Sequence, residues 1–117
     1  MDTLDELKEK VKNSTDSEFI LETLKANEKI QNDREVILSA VKVDGQALYY
    51  AGKDLRNDKE IVLEAVTRKG LILKYASNKL RSDKEIAMAA VKQDKRALEY
   101  ISSEELKKDN DIVNLIT

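Results

Sequence analysis

The feature that most narrows what this chain can become is its internal repetition. Asn32-Asp33-Arg34-Glu35-Val36-Ile37-Leu38, Asn57-Asp58-Lys59-Glu60-Ile61-Val62-Leu63 and Ser82-Asp83-Lys84-Glu85-Ile86-Ala87-Met88 recur at intervals of 25 residues. A worn fourth copy, Lys108-Asp109-Asn110-Asp111-Ile112-Val113, follows after 26. A fixed period of this size means stacked supersecondary units, each too small to bury its apolar face alone. The expected fold is all-α, a gently superhelical solenoid of short helical hairpins with a repeat of about 25 residues and about seven to nine helices.

Each unit opens with a helix-start signature. Thr15-Asp16-Ser17-Glu18, Asn32-Asp33-Arg34-Glu35, Asn57-Asp58-Lys59-Glu60 and Ser82-Asp83-Lys84-Glu85 fit a capping box. In that reading the Thr, Asn or Ser accepts from the backbone N–H three residues on, and the Glu reaches back. The Asp would then sit at the first helical position, where negative charge suits the helix dipole. Behind each box lies an apolar face broad enough for a helix sandwiched between neighbours: Val36, Ile37, Leu38, Ala40 and Val41, with counterparts from Ile61 and from Ile86. These are the A helices. Asp44-Gly45 and Lys69-Gly70 end them, Gly suiting a left-handed C-terminal position. Asp94-Lys95 stands there in the third copy, so a different or strained turn is expected. A short B helix follows, with Leu48, Leu73 and Leu98 and Tyr50, Tyr75 and Tyr100 recurring. Ile30, Leu55, Leu80 and Leu106 anchor the return to the next unit.

The domain is read as one body, residues 1–117. Residues 1–30 form an N-terminal cap and short first unit, 31–55, 56–80 and 81–106 are full repeats, and 107–117 is a C-terminal cap helix. Only 17 residues separate Asp16 from Asp33, so the first unit is expected to have an A helix at Phe19–Leu24 and little B helix. Leu4, Leu7 and Val11 mark an amphipathic helix ahead of it. Both ends are expected to be solvent-facing caps, which would make the array complete.

The unit Asp-x-Glu-Ile/Val-x-Leu-x-Ala-Val, then Gly, then Leu-x-Tyr-Ala-Ser, then Leu-Arg-x-Asp is fullest at Asp58–Val66, Gly70, Leu73–Ser77 and Leu80–Asp83. It resembles the repeat family filed as domain of unknown function 4116, over about residues 31–111. The resemblance implies a repeated helical module and brings no activity or catalytic residues with it. Lys95 for Gly, Ile101 for Ala, Gly52 for Ser and one extra residue near Glu104-Glu105 depart from the pattern.

Composition removes several classes of function. The chain has no Cys and no His, so disulfides, Cys/His zinc sites, thiol redox chemistry and His-dependent acid–base catalysis are out. There is no apolar run long enough for a membrane span and no signal-peptide pattern at the start, so a soluble, cytoplasmic protein is expected. The net charge of −2 favours neither anionic nor cationic partners. The Asp/Glu pairs recur at every helix start, which suits capping better than catalysis, since catalysis needs one site. Asp109-Asn110-Asp111 lacks the ordered ligands of a calcium loop. No catalytic, cofactor-binding or metal-binding residue is assigned, and no cofactor is expected.

The expected role is a non-enzymatic protein-interaction module, an adaptor or an inhibitor, using one face of the stack. Tyr49 marks that face: its counterparts are Lys74 and Glu99, so stacking does not demand an aromatic there. With Leu71, Lys74 and Arg96 it would form a row of the Tyr-plus-Arg kind found at interface hot spots. The plainer account of these four is scattered surface residues. A nucleic-acid-binding protein, or a blocker of a nucleic-acid enzyme, is the alternative. It would use Arg68, Lys69, Lys74, Lys79, Arg81 and Lys84, six bases against the single acid Asp83 within residues 67–84. No aromatic series is expected beside them. The partner is expected to be another protein or peptide, with the chain a monomer or a weak homodimer through its end helices.

Overall fold

In the computed structural model, which describes residues 2–117, every regular element is helical. The α-helices are α1 (Leu4–Asn13), α2 (Ser17–Ala26), α3 (Arg34–Val43), α4 (Lys59–Arg68), α5 (Lys84–Gln93), α6 (Glu104–Lys107) and α7 (Asn110–Ile116). The B elements are 3-10 helices, at Gly45–Tyr50, Gly70–Tyr75 and Lys95–Tyr100. A second, single-turn 3-10 element closes each coil, at Glu28–Ile30, Leu55–Asn57 and Leu80–Ser82. The repeat is the expected helical hairpin, an A helix and a 3-10 B helix, closed into a coil by a third, single-turn element.

Stacking these coils produces rows. Helices α1, α3, α4, α5 and α7 pack in that order to form the A row. Beside it, α2 and the three 3-10 B segments pack in order to form the B row. The stack measures 53 × 23 × 17 Å. Its radius of gyration, 14.9 Å, exceeds the roughly 13 Å of a compact domain of this length. One apolar core runs its length. Val36, Ile37, Ala40 and Val41 are fully buried, as are Ile61, Val62, Ala65 and Val66, and Ile86, Ala87, Ala90 and Val91. Leu48 and Leu73 are equally buried; Leu98, in the last coil, is half-buried.

The helix starts fall where the pattern puts them, with the cap one residue later. Asp16, Asp33, Asp58 and Asp83 are the caps, their carboxylates accepting from the N–H groups of Phe19, Val36, Ile61 and Ile86. Asn32, Asn57, Ser82 and Thr15 precede them. This frees Glu35, Glu60 and Glu85 for another task. Arg34, at the start of α3, donates through Nε to Asp58 at 2.8 Å and through Nη2 to Glu60. Lys59 pairs with Asp83 at 3.1 Å and Glu85 at 3.0 Å, and Lys84 with Asp109 at 3.2 Å and Asp111 at 2.8 Å. Lys8 and Lys12 of α1 do the same for Asp33 and Glu35, at 3.0 and 3.3 Å. From α3 onward one cation per coil thus bridges the two acids of the next, and at α1 two lysines share the task.

That ladder explains the first unit. The spacing suggested that Phe19–Leu24 would be an A helix, but α1 lies beside α3 and carries the ladder's first cations, while α2 lies beside Gly45–Tyr50 in the B row. Backbone bonds run parallel to the ladder. The N–H groups of Gly52, Ser77 and Ser102 donate to the carbonyls of Gln31, Arg56 and Arg81, at 2.9, 2.9 and 3.1 Å.

The glycines serve close approach and not handedness. Among the described residues none has positive φ, and Asp44, Lys69 and Asp94 all end their helices in extended geometry. A Cβ on Gly45 would stand 2.6 Å from the carbonyl oxygen of Ala65, and one on Gly70 2.3 Å from that of Ala90. The next coil's A helix passes that close. At Lys95 the turn is unchanged, with φ −152° and ψ 113° at Asp94 against −147° and 115° at Asp44. The expected strain is absent because this turn needs no positive φ in any of the three copies, so a residue with a side chain adopts it as readily as Gly. The extra residue near Glu104-Glu105 converts the last 3-10 turn into α6, capped by Ser103.

Candidate functional site

A 3-10 helix has three residues per turn, so residues three apart share a face. In the B segments this buries Gly45 and Leu48, and Gly70 and Leu73. It turns Gln46 and Tyr49, Leu71 and Lys74, and Arg96 and Glu99 outward. Tyr50, Tyr75 and Tyr100, next to that outward face, are half-buried.

The outward residues make a continuous strip. Tyr49 is 49% exposed, and its ring meets Tyr50 edge-on at 5.0 Å and Tyr75 at 4.8 Å. The Lys74 ammonium lies 5.0 Å from the Tyr75 ring centre and 6.0 Å from that of Tyr100. Three successive coils are joined this way, through Tyr50, Tyr49, Tyr75, Lys74 and Tyr100. No aromatic series was expected, because its members lie in different units and meet only once the coils stack. Leu71 is half-buried and packs on the core at the base of Lys74's turn. Arg96 is held by its own turn: Nη2 reaches Asp94 at 2.8 Å, while the same carboxylate caps the segment through the Arg96 N–H. The Arg96 hydrogen bond holds the Asp94 carboxyl below its usual range. Of the expected row, Tyr49, Leu71 and Lys74 therefore come together, and Arg96 stands one coil further along.

The six bases of residues 67–84 do not form one stripe. Arg68 and Lys69 lie at the C-terminal end of α4, and Lys84 is the first residue of α5. These ends are separated by the length of a ten-residue helix, about 15 Å. Lys84 is bound to two carboxylates, and Arg81 donates through Nε to the Tyr100 carbonyl at 2.7 Å. Lys79 is exposed in the connector.

The acids are tied into structure too. The Arg34 guanidinium holds Asp58 below the ordinary carboxylate range, against partial burial and with help from the Ile61 N–H. Burial works to raise Asp83, but the Ile86 N–H and Lys59 outweigh it and the carboxyl is lowered. Asp109 is lowered first by the N–H of Asp111 and then by Lys84. Among the described residues no cluster of three or more acids has metal-holding geometry, and no helix is long and apolar enough to cross a membrane.

An all-helical stack of 25-residue coils with a recurrent Asp-capped A helix defines an α-solenoid repeat protein. Its family model, described as Domain of unknown function (DUF4116), matches residues 24–56, 33–81, 58–107 and 83–116 in overlapping register, and the chain belongs to that family. No curated protein and no solved structure matches the chain.

Proposed function

We propose that the protein is a non-enzymatic interaction module, an adaptor or an inhibitor, that docks a partner protein or peptide on the B-row strip. Tyr49 carries the reading. An aromatic ring half in water, stacked edge-on to two others at a position where the repeat does not need one, is the kind of rigid anchor that dominates interface energy. Leu71 and Lys74 extend it, and Arg96 adds a fork of donors one coil away. Cytoplasmic residence belongs to the same proposal.

Capture from the native cell with immobilised wild type, Tyr49→Ala plus Leu71→Ala, and Lys42→Ala as an off-strip control tests it. A partner held by wild type and control should bind the double variant about 30-fold or more weakly, the loss of one hot spot. Equal capture by all three rejects the strip.

The aromatic strip also gives the nucleic-acid alternative a basis it lacked, since a base can stack on the exposed Tyr49 ring, with Lys74 one coil further on. That reading requires single-stranded DNA or RNA to bind with a steep salt dependence, weakened by Lys74→Ala. No binding at low salt dismisses it.

A further inference from the structure

One buried donor is left over by the coil-to-coil bonding. The Nε of Arg56 is shielded from solvent and has no hydrogen-bond partner, the single such side-chain atom among the described residues. Its counterpart one period on, Arg81, donates through Nε to the Tyr100 carbonyl at 2.7 Å. Its counterpart one period back, Gln31, donates to the Leu24 carbonyl at 2.7 Å. A buried donor without an acceptor is costly, and a guanidinium doubly so.

The Arg56 side chain lines a pocket of about 270 Å³ together with Lys53, Tyr75, Ala76, Ser77 and Asn78. No carboxylate lines it, and among the described residues neither Arg56 nor Lys53 has an ion-pair partner. Ser77 Oγ is already committed, donating to Asn57 at 2.6 Å and accepting from the Leu80 N–H at 3.2 Å. What remains unspent in the pocket is positive charge. The periodicity shows that this is particular to one coil. The positions of Lys53 and Arg56 hold Glu28 and Gln31 in the coil before, and Asn78 and Arg81 in the coil after. Two cations without an acid occur in the middle coil alone.

We propose that this pocket binds a small oxyanion, a phosphate or carboxylate group, held by the guanidinium of Arg56 and the ammonium of Lys53. The space is below the several hundred Å³ of a drug-sized site, and suits one such group. A guanidinium matches either oxyanion through paired N–H donors, and Lys53, exposed in the same lining, adds a second positive charge. The site does not depend on the docking strip, though Tyr75 borders both.

The test follows the arginine Nε–Hε resonances of the ¹⁵N-labelled wild-type protein by NMR, during titration with inorganic phosphate or acetate at ionic strength fixed with sodium chloride. Arg56 should shift saturably while Arg81 stays still, and Lys53→Gln should weaken the apparent affinity about threefold. Saturation by phosphate alone assigns a phosphoryl ligand; saturation by acetate assigns a carboxylate. An Arg56 signal that does not move, that moves equally with chloride, or that moves in step with Arg81 overturns the proposal. The measurement needs no substitution at Arg56, so folding of such a variant does not enter.

Discussion

The A-row edge and the B-row strip are written with the same 25-residue period and use it in opposite ways. Along the A-row edge α3, α4 and α5 repeat one formula, an Asp cap, a cation and a Glu, and the cation of each is bonded to the two acids of the next A helix. Along the strip the period supplies only the geometry, and the outward positions hold Tyr49, Lys74 and Glu99 in turn. The difference separates two kinds of residue. Those that recur are committed to the neighbouring coil, and those that change are free to meet something else.

Substitutions should break along that line. The largest loss is expected at Leu73→Ala, a recurring residue with no exposure: about 3 kcal/mol, against a smaller loss at half-buried Leu98→Ala, both read from denaturant unfolding. Equal losses would mean that the last coil holds its leucine as firmly as the middle one, against their difference in burial. Next comes Gly70→Ala, whose new methyl would be driven against the Ala90 carbonyl, at a cost of about 2 kcal/mol. Lys95→Gly, in the same slot but exposed where Gly45 and Gly70 are buried, should change the melting temperature little.

Asp58→Ala removes a helix cap together with Arg34's partner and should destabilise by about 1 kcal/mol. The same edge sets the acid response. Asp58, Asp83 and Asp109 all titrate below their ordinary 3.8, so their contribution is complete well above that pH and is lost as the pH falls through their lower folded values. Unfolding curves between neutral and strongly acid pH should show it, flattened in Asp58→Ala. The smallest stability change belongs to Tyr49→Ala, within about 1 kcal/mol, because its ring is half-exposed and makes only edge contacts. A large loss there would make Tyr49 a structural residue and remove the contrast between edge and strip.

The stacking period, the helix starts and the core positions could be read from the chain because each is a local pattern multiplied. Four boxes in phase located four helix starts, and Val36, Ile61 and Ile86 are buried where the apolar face requires. Errors came where local chemistry is degenerate. Asn32 and Asp33 are both good caps, and Asp at either place suits the helix dipole, so only coordinates separate them. Glu60 resembles a capping-box residue until Arg34, 26 positions earlier, is found beside it. Gly70 resembles a left-handed cap until the Ala90 carbonyl is seen against it. The Tyr49–Tyr75 contact and the vacant Nε of Arg56 depend in the same way on what the next coil presents, and no one-dimensional pattern carries that.

The ladder and the backbone rungs tie each coil only to its immediate neighbours. Excising residues 58–82 would set Arg34 before Asp83 and Glu85 as it now stands before Asp58 and Glu60, and would offer the Arg56 carbonyl to the Ser102 amide in place of that of Ser77. The shortened chain should still melt in one cooperative step. Length in such a molecule is quantised: it can grow or shrink by whole turns of its spiral while each remaining turn keeps the same kind of bond to the next.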